Sequence, residues 1–354
     1  TTLAKIIELV ENAGATKAPV ARVADRVAGI FVPVVMGLAL LTFLAWLILG
    51  DSIEIALRCA VSVLVISCPC ALGLATPVAI TVATGRCAGM GILIKSAEAL
   101  ENLCRIDTVI LDKTGTVTEG KPTVSAVFSK IDEDEFIKLA ASLEKNSEHP
   151  LARAVEDYAD RLEPYDVTDQ RSIPGRGIEG VINGRMYYGG NASFMDELGI
   201  DVSEAQSSDG TPMYFASENE FLGVIYASDK IKPDSVNAVK RMADMGLEVI
   251  LLTGDSQQNA DIIKRDLPLT EAAGGMTPSG KSEHLLSLRA KGKRVAMVGD
   301  GINDAPALTR ADVGMAIGGG TDIAIESASV VLMGDSLTDV LNAVRLGRKV
   351  LKNI

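Results

Sequence analysis

Two stretches of the chain carry no charged side chain: 23 residues from Val27 to Leu49 and 27 from Cys59 to Gly85. Roughly 20 apolar residues cross a bilayer core as helix, so both stretches predict membrane spans. The connector Gly50–Ala56 is short and holds Asp51 and Glu54, while Lys5, Lys17, Arg22 and Arg26 precede the pair and Arg86 and Lys95 follow it. Positive flanks place both outer ends of this hairpin on the cytoplasmic side. Buried helices of a soluble core are the competing reading, but such helices rarely run this far without a charge.

Beyond the hairpin the pattern changes to short apolar runs that end in polar, glycine-containing turns: Ile106–Asp112, Glu248–Thr253 and Arg294–Asp300. Helical stretches fit between them, Ser235–Met245 before Gly246 and Ser279–Ala290 before Gly292, each glycine a C-cap candidate. Strands alternating with helices predict a doubly wound α/β parallel sheet, whose ligands bind at the carboxyl ends of the strands. Residues 128–225 read differently. Amphipathic helices over Asp134–Glu144 and Pro150–Arg161 precede Asn183-Gly184, a tight-hairpin signal between apolar runs, so this part is expected to be an inserted α+β domain.

The chain has 354 residues and a formal charge of -12. Residues 1–105 hold eight Lys/Arg against seven Asp/Glu, and the remainder holds 26 against 39, so the acidity belongs to the second part alone. That balance disfavours nucleic acid as a partner. All five cysteines fall in the first 105 residues with no CxxC, which argues for a reducing compartment over a secreted disulfide framework. The chain begins with Thr and shows no signal-peptide pattern, and it is read as a portion of a longer protein.

Candidate chemistry lies in both parts. In Ser67-Cys68-Pro69-Cys70 the proline removes an amide from the helical ladder and exposes a carbonyl and two thiols at membrane depth. Soft thiolates suit Cu(I), with Zn(II) as competitor; a plain proline kink with apolar cysteines is the alternative. Asp112 ends a strand and is followed by Lys113, Thr114 and Gly115, the layout of a carboxylate nucleophile beside backbone amides that receive an anion. Lys281, the hydroxyl of Thr253, and Mg²⁺ held by Asp112 and Asp300 would offset the charge of a phosphoryl group. Taken singly, Asp112 also reads as a turn residue and Lys281 as a solvated first-turn lysine. Gly175-Arg-Gly177-Ile-Glu-Gly180 fits the dinucleotide glycine pattern, yet a hairpin follows where a helix is needed, and no strand is expected to lead into it.

The order Asp112-Lys-Thr-Gly-Thr116, Thr253-Gly-Asp255, Lys281, Gly299-Asp300-Gly-Ile-Asn303-Asp304 resembles the P-type ATPases of the haloacid dehalogenase superfamily. Cys-Pro-Cys in the preceding span, with Gly73-Leu-Ala-Thr76-Pro77 and Ser147-Glu-His149-Pro150, is most similar to its copper-transporting heavy-metal branch, over nearly the whole chain. The resemblance implies an aspartyl phosphate on Asp112 formed from ATP, with Lys113 beside it. It implies a Thr114 carbonyl and Asp300 on Mg²⁺ with Asp304 nearby and Asn303 in the same turn, and phosphate binding by Thr253 and Lys281. Glu144, His149, Gly175, Gly177, Gly190 and Asn191 would surround adenine, and Cys68 and Cys70 would hold Cu⁺ or Zn²⁺. A multi-pass protein of the plasma (inner) membrane follows, with catalytic domains in the cytoplasm and a metallochaperone delivering the ion.

In those terms, residues 1–26 are a cytoplasmic helical connector, 27–85 two spans (27–49 and 59–85), 86–127 and 226–340 a phosphorylation domain, 128–225 a nucleotide-binding domain, and 341–354 the lead into a further membrane helix. No counterpart of the family's actuator domain is present, nor its other spans, and this portion alone is not expected to pump. Open alternatives are a zinc/cadmium-type ATPase, a membrane-anchored phosphatase and a non-catalytic metal-binding fragment. Thr114 speaks against the phosphatase, since such enzymes usually carry Asp there as general acid.

Overall fold

The computed structural model describes residues 19–49, 52–67, 70–147, 149–218, 220–300, 304–318 and 322–353. Most of the expected connector over 1–26 lies outside these residues, as do Cys68, Pro69, Glu148 and Asn303.

The first described helix, Pro19–Ile48, contains Arg26–Ile48, which is long and apolar enough to cross a membrane; among the described residues it is the one helix that meets that test. The second charge-free stretch departs from the single span expected over 59–85. It is divided into the helices Ile53–Ile66 and Cys70–Ala88, and the helical backbone starts six residues earlier than Cys59. Ser52 caps the first of these by accepting from the Ile55 amide at 3.4 Å, and this cap at the end of the polar connector sets the early start. At the other end the Ser67 amide reaches the carbonyls of Val63 and Val65.

The contacts divide the chain into two compact units. The first comprises Thr1–Val109, Ser282–Asp335 and Asp339–Ile354. Its strands β1 (Ile92–Ile94), β11 (Val295–Gly299), β12 (Val313–Ala316) and β13 (Val330–Leu332) run in the order β1-β13-β12-β11. β11, β12 and β13 are parallel, with Ala296 opposite Val313 and Met315 opposite Val330, and β1 closes the edge antiparallel. Every residue of β11 and β12 is buried, the continuous apolar text of a strand covered on both faces. The helix Leu337–Asn353 packs on the helix Ala97–Cys104, whose Cys104 Sγ reaches the Gly347 carbonyl at 2.9 Å.

The second unit comprises Ile110–Lys281 and Ser336–Thr338. It holds the end of β2 (Thr108–Asp112) beside β9 (Glu248–Leu252), which pairs in parallel with β10 (Glu271–Ala273), Ile250 opposite Glu271. It also holds an antiparallel six-stranded sheet in the order β3-β8-β7-β6-β5-β4, from β3 (Thr118–Ser129), β4 (Val167–Ile173), β5 (Gly177–Ile182), β6 (Arg185–Gly190), β7 (Thr211–Ser217) and β8 (Glu220–Ile231). Asn183 and Gly184 turn β5 into β6 with φ of 51° and 79°, the left-handed pair that a two-residue hairpin needs. β4 leads into the glycine run Gly175–Gly180, contrary to the expectation that no strand precedes it; its exposed, polar text Thr168-Asp-Gln-Arg-Ser172 hid it. The helices Glu133–Glu144 and Pro150–Tyr158 cover one face of this sheet, and the helix Ala192–Glu197 the other. β8 supplies both cores, Leu222 and Ile225 to the first face and Phe221, Val224 and Tyr226 to the second.

Phe136 is fully buried against the first face and meets Phe215 edge to face at 5.8 Å. Phe136→Ala should destabilise the six-stranded part by about 3–5 kcal/mol, read as a lowered denaturant midpoint followed by β-sheet circular dichroism.

Candidate functional site

β2 is five residues long and entirely buried, and it delivers Asp112 to its carboxyl end. The next residues cannot continue the strand: Gly115 has φ of 70°, a left-handed value that turns the chain back toward β3. Asp112 is buried, and its two carboxylate oxygens are held differently. Oδ2 accepts from the Thr114 amide at 3.0 Å, while Oδ1 pairs with the Lys281 ammonium. Lys281 is equally buried, in the first turn of the helix Pro278–Ala290, where Thr277 accepts from the Gly280 amide at 3.1 Å. The solvated-lysine reading therefore fails, whereas the turn-residue reading of Asp112 holds together with the ion pair. Thr253, buried at the end of β9, accepts from the Asp255 amide at 3.1 Å. Thus Asp112, Lys113, Thr114, Thr253 and Lys281 occupy neighbouring strand ends and the helix start within one unit.

Asp255 of the Thr253-Gly-Asp255 motif and two residues not singled out in the sequence, Asp229 and Lys232, hold this turn. Asp255 forms an ion pair with Lys113. Asp229, near the end of β8, accepts from the Thr118 hydroxyl and from the amides of Gly120 and Lys121 at 3.1 and 3.2 Å. Lys232 is buried and donates to the Gly115 carbonyl at 2.8 Å, while its own amide reaches the Val117 carbonyl at 3.0 Å. Two residues on, Asp234 receives the Ser336 hydroxyl and the Thr338 amide; burial raises its carboxyl, but these hydrogen bonds outweigh that and hold it below the ordinary range. The sequence signal was a dense polar run, Asp229-Lys-Ile-Lys232-Pro-Asp234, directly after the apolar text of β8.

The six residues expected around adenine line one cavity of about 300 Å³: Glu144, His149, Gly175, Gly177, Gly190 and Asn191. Gly177 and Gly190 face each other across β5 and β6, and a Cβ on Gly177 would lie 2.0 Å from the Gly189 carbonyl oxygen. Those glycines are thus demanded by strand approach as well as by any ligand. Gly175 has φ of 73°, and its carbonyl accepts from Asn191 Nδ2 at 3.0 Å. Asn191 also caps the helix Ala192–Glu197 through the Phe194 amide at 2.9 Å. His149 caps the helix Pro150–Tyr158, its Nδ1 accepting from the Leu151 amide at 3.2 Å, and it also lines the cavity. Burial pushes the Glu144 carboxyl up to about 7; a hydrogen bond from Ser147 opposes this and the charge of Glu156 adds to it. A second cavity of about 780 Å³ shares His149, Leu151 and Thr211 with the first and extends to Lys113 and Thr114.

In the other unit, Asp300 directly follows β11, and Asp304 is buried at the start of the helix Ala305–Arg310 without capping it. A Cβ on Gly299 would meet Asp304 Oδ2 at 2.3 Å, so a side chain there would have to displace that carboxylate. Cys70 opens the helix Cys70–Ala88; its side chain, Cys68 and Asn303 lie outside what is described.

The haloacid dehalogenase-like hydrolase family matches residues 106–312. The chain belongs to that family. It is 44% identical over its whole length to a copper-transporting P-type ATPase of Rhizobium leguminosarum bv. viciae and 42% identical to a copper-exporting P-type ATPase of Staphylococcus saprophyticus, spanning 44% and 46% of those proteins. Among solved structures it is similar to a zinc-transporting PIB-type ATPase in its E2.Pi state, with a TM-score of 0.79 at 35% identity over 98% of this chain and 58% of that one. It is also similar to the catalytic CPx-ATPase domain CopB-B, with a TM-score of 0.63 at 27% identity over 74% of this chain and 98% of that one.

The raised Glu144 carboxyl has a stability consequence. Between its unfolded value of 4.5 and its folded value of about 7 the folded chain keeps a proton that the unfolded chain has lost, so stability falls as pH rises through that window. Folding free energy from denaturant titration at pH 5 and pH 8 should drop by on the order of 3 kcal/mol more in the parent than in Glu144→Gln.

Proposed function

We propose that this chain is the catalytic and part of the membrane portion of an ATP-driven exporter of a soft metal ion, Cu(I), working through an aspartyl phosphate on Asp112. The observation that carries this reading is the buried Asp112 at the end of β2, gripped by Lys281 and the Thr114 amide inside the Asp-Lys-Thr-Gly-Thr turn. The cavity pair supports it, because one continuous wall through His149 and Thr211 links the Glu144 and Asn191 pocket to Lys113.

In this mechanism adenine occupies the smaller cavity, against Glu144, His149 and the Gly175, Gly177, Gly190 and Asn191 backbone turns. The triphosphate lies toward Lys113 and Thr114. A carboxylate oxygen of Asp112 attacks the γ-phosphorus, a new P–O bond forms, and the bond to the β,γ-bridging oxygen breaks with ADP as leaving group. Lys281 moves its charge from the carboxylate to the transferring phosphoryl oxygens, and the Thr253 hydroxyl donates to them. Carboxylates and a backbone carbonyl are hard oxygen ligands that fit Mg²⁺, and Asp112, Thr114, Asp300 and Asp304 are the residues that would hold it. When bound, the ion supplies charge neutralisation to the phosphates. Cys68 and Cys70 take the transported ion at the break in the second span, and phosphorylation biases the helices between two arrangements.

The reading keeps the division of labour of residues 86–127 and 226–340 for phosphorylation and 128–225 for nucleotide, with 1–26 and 341–354 as leads and 27–85 in the bilayer. It places the whole protein as multi-pass in the plasma (inner) membrane, its ATP-handling domains in the cytoplasm, with a metallochaperone as donor of the ion. Zinc is the second reading. Copper-transporting relatives at 42–44% identity favour Cu(I), while the structural similarity to a zinc-transporting ATPase keeps Zn²⁺ open.

Incubation with γ-labelled ATP should give acid-stable, hydroxylamine-labile label on the chain, lost in Asp112→Asn. Absence of label with ATP binding confirmed would overturn catalysis by this chain. In the full-length protein, label should rise with Cu(I); a rise with Zn²⁺ alone would exchange the two readings.

A further inference from the structure

Thr211 and Asn259 both line the larger cavity, and they touch. Asn259 Nδ2 donates to Thr211 Oγ1 at 3.2 Å, joining the first turn of the helix Gln257–Asp266, which follows β9, to the first residue of β7 in the six-stranded sheet. Both partners are mounted rigidly. On the sheet side, the Asp209 carbonyl accepts from Ser125 Oγ at 3.0 Å, and Gly210 has φ of 123° with no room for a Cβ, which would meet the Ala227 carbonyl oxygen at 2.8 Å. On the helix side, Ser256 Oγ accepts from the Asn259 amide at 3.3 Å, and Gln257 bridges to β10 through the Ala272 carbonyl and the Gly274 amide at 3.1 and 2.8 Å.

A side-chain hydrogen bond between two such fixed mounts defines the width of the cleft between them. Thr211 is also one of the residues shared by the two cavities, at the point where a nucleotide spanning them would carry its sugar. We propose that Thr211 and Asn259 form a latch that presets the separation between the adenine pocket and the phosphoryl acceptor, so that the γ-phosphate reaches Asp112 without a further search for the closed arrangement. This rests on the reading of the cavity pair as an ATP site, and it adds two positioning residues to it. Neither residue touches the reacting atoms; both act through the distance between Glu144 and Asp112. A neutral, half-exposed hydrogen bond of this kind biases an equilibrium by about two- to tenfold.

The experiment uses the whole chain and four variants, Thr211→Val, Asn259→Ala, the double variant and Thr211→Ser. Single-turnover phosphorylation at saturating ATP should slow about two- to tenfold in each single variant. The double variant should be no slower than the slower single, and Thr211→Ser should keep the parent rate because it keeps the hydroxyl. Rates equal to the parent in Thr211→Val and Asn259→Ala, or losses that multiply in the double variant, overturn the latch. Backbone hydrogen exchange over residues 209–213 without nucleotide gives an independent readout. It should accelerate in Asn259→Ala and not in Thr211→Ser, and equal exchange in Asn259→Ala and the parent also overturns the latch. Should the parent chain acquire no phosphate, the ATPase reading fails by itself, and the exchange comparison still decides whether the latch exists.

Discussion

Asp112 and Lys281 are two charges taken out of water, and neither is tolerable there alone. Removing either partner from such a pair leaves an uncompensated buried charge, so everything around them must keep them together. That requirement explains why Lys281 stands in the first turn of its helix, why Thr277 caps that turn, and why the chain after Asp112 bends at once through Gly115. An ammonium held against a carboxylate oxygen is also placed to follow negative charge when that oxygen acquires a phosphoryl group, so the stabilising contact and the proposed chemistry are one arrangement in two states.

The same turn is held from a second direction. β3 leaves the phosphorylation fold for the six-stranded sheet and β8 returns from it, and at that crossing Asp229 grips the departing strand while Lys232 grips the Gly115 carbonyl. Two residues later Asp234 takes the start of the helix Leu337–Asn353 through Thr338 and Ser336. The six consecutive residues Asp229–Asp234 thus touch the acceptor turn, the insertion and the segment Ser336–Thr338.

Much of this was legible in the text. The buried strands β2, β9 and β11 write as unbroken apolar runs ending in polar turns, because a parallel strand covered on both faces needs no alternation. Asn183-Gly184 wrote the hairpin for an equally local reason. The candidate residues around Asp112 and in the smaller cavity could be named from motif order and resemblance; Asp112, Lys113, Thr114, Thr253 and Lys281 fall in one unit, as do the residues of the smaller cavity, while Asp300 and Asp304 fall in the other. What escaped was non-local. β4 is amphipathic only weakly and gains its place from pairing with β5, not from its own composition. Asp229 and Lys232 look like solvated charges until the fold sets them beside the turn.

The central claim is that Asp112 accepts the phosphoryl group. Borohydride converts an aspartyl phosphate to homoserine, so acid-quenched chain incubated with ATP and then reduced can be digested and mapped by mass spectrometry. The account predicts homoserine at position 112 and at no other aspartate. Unmodified Asp112 in a chain that has consumed ATP, or homoserine at another position, would contradict it.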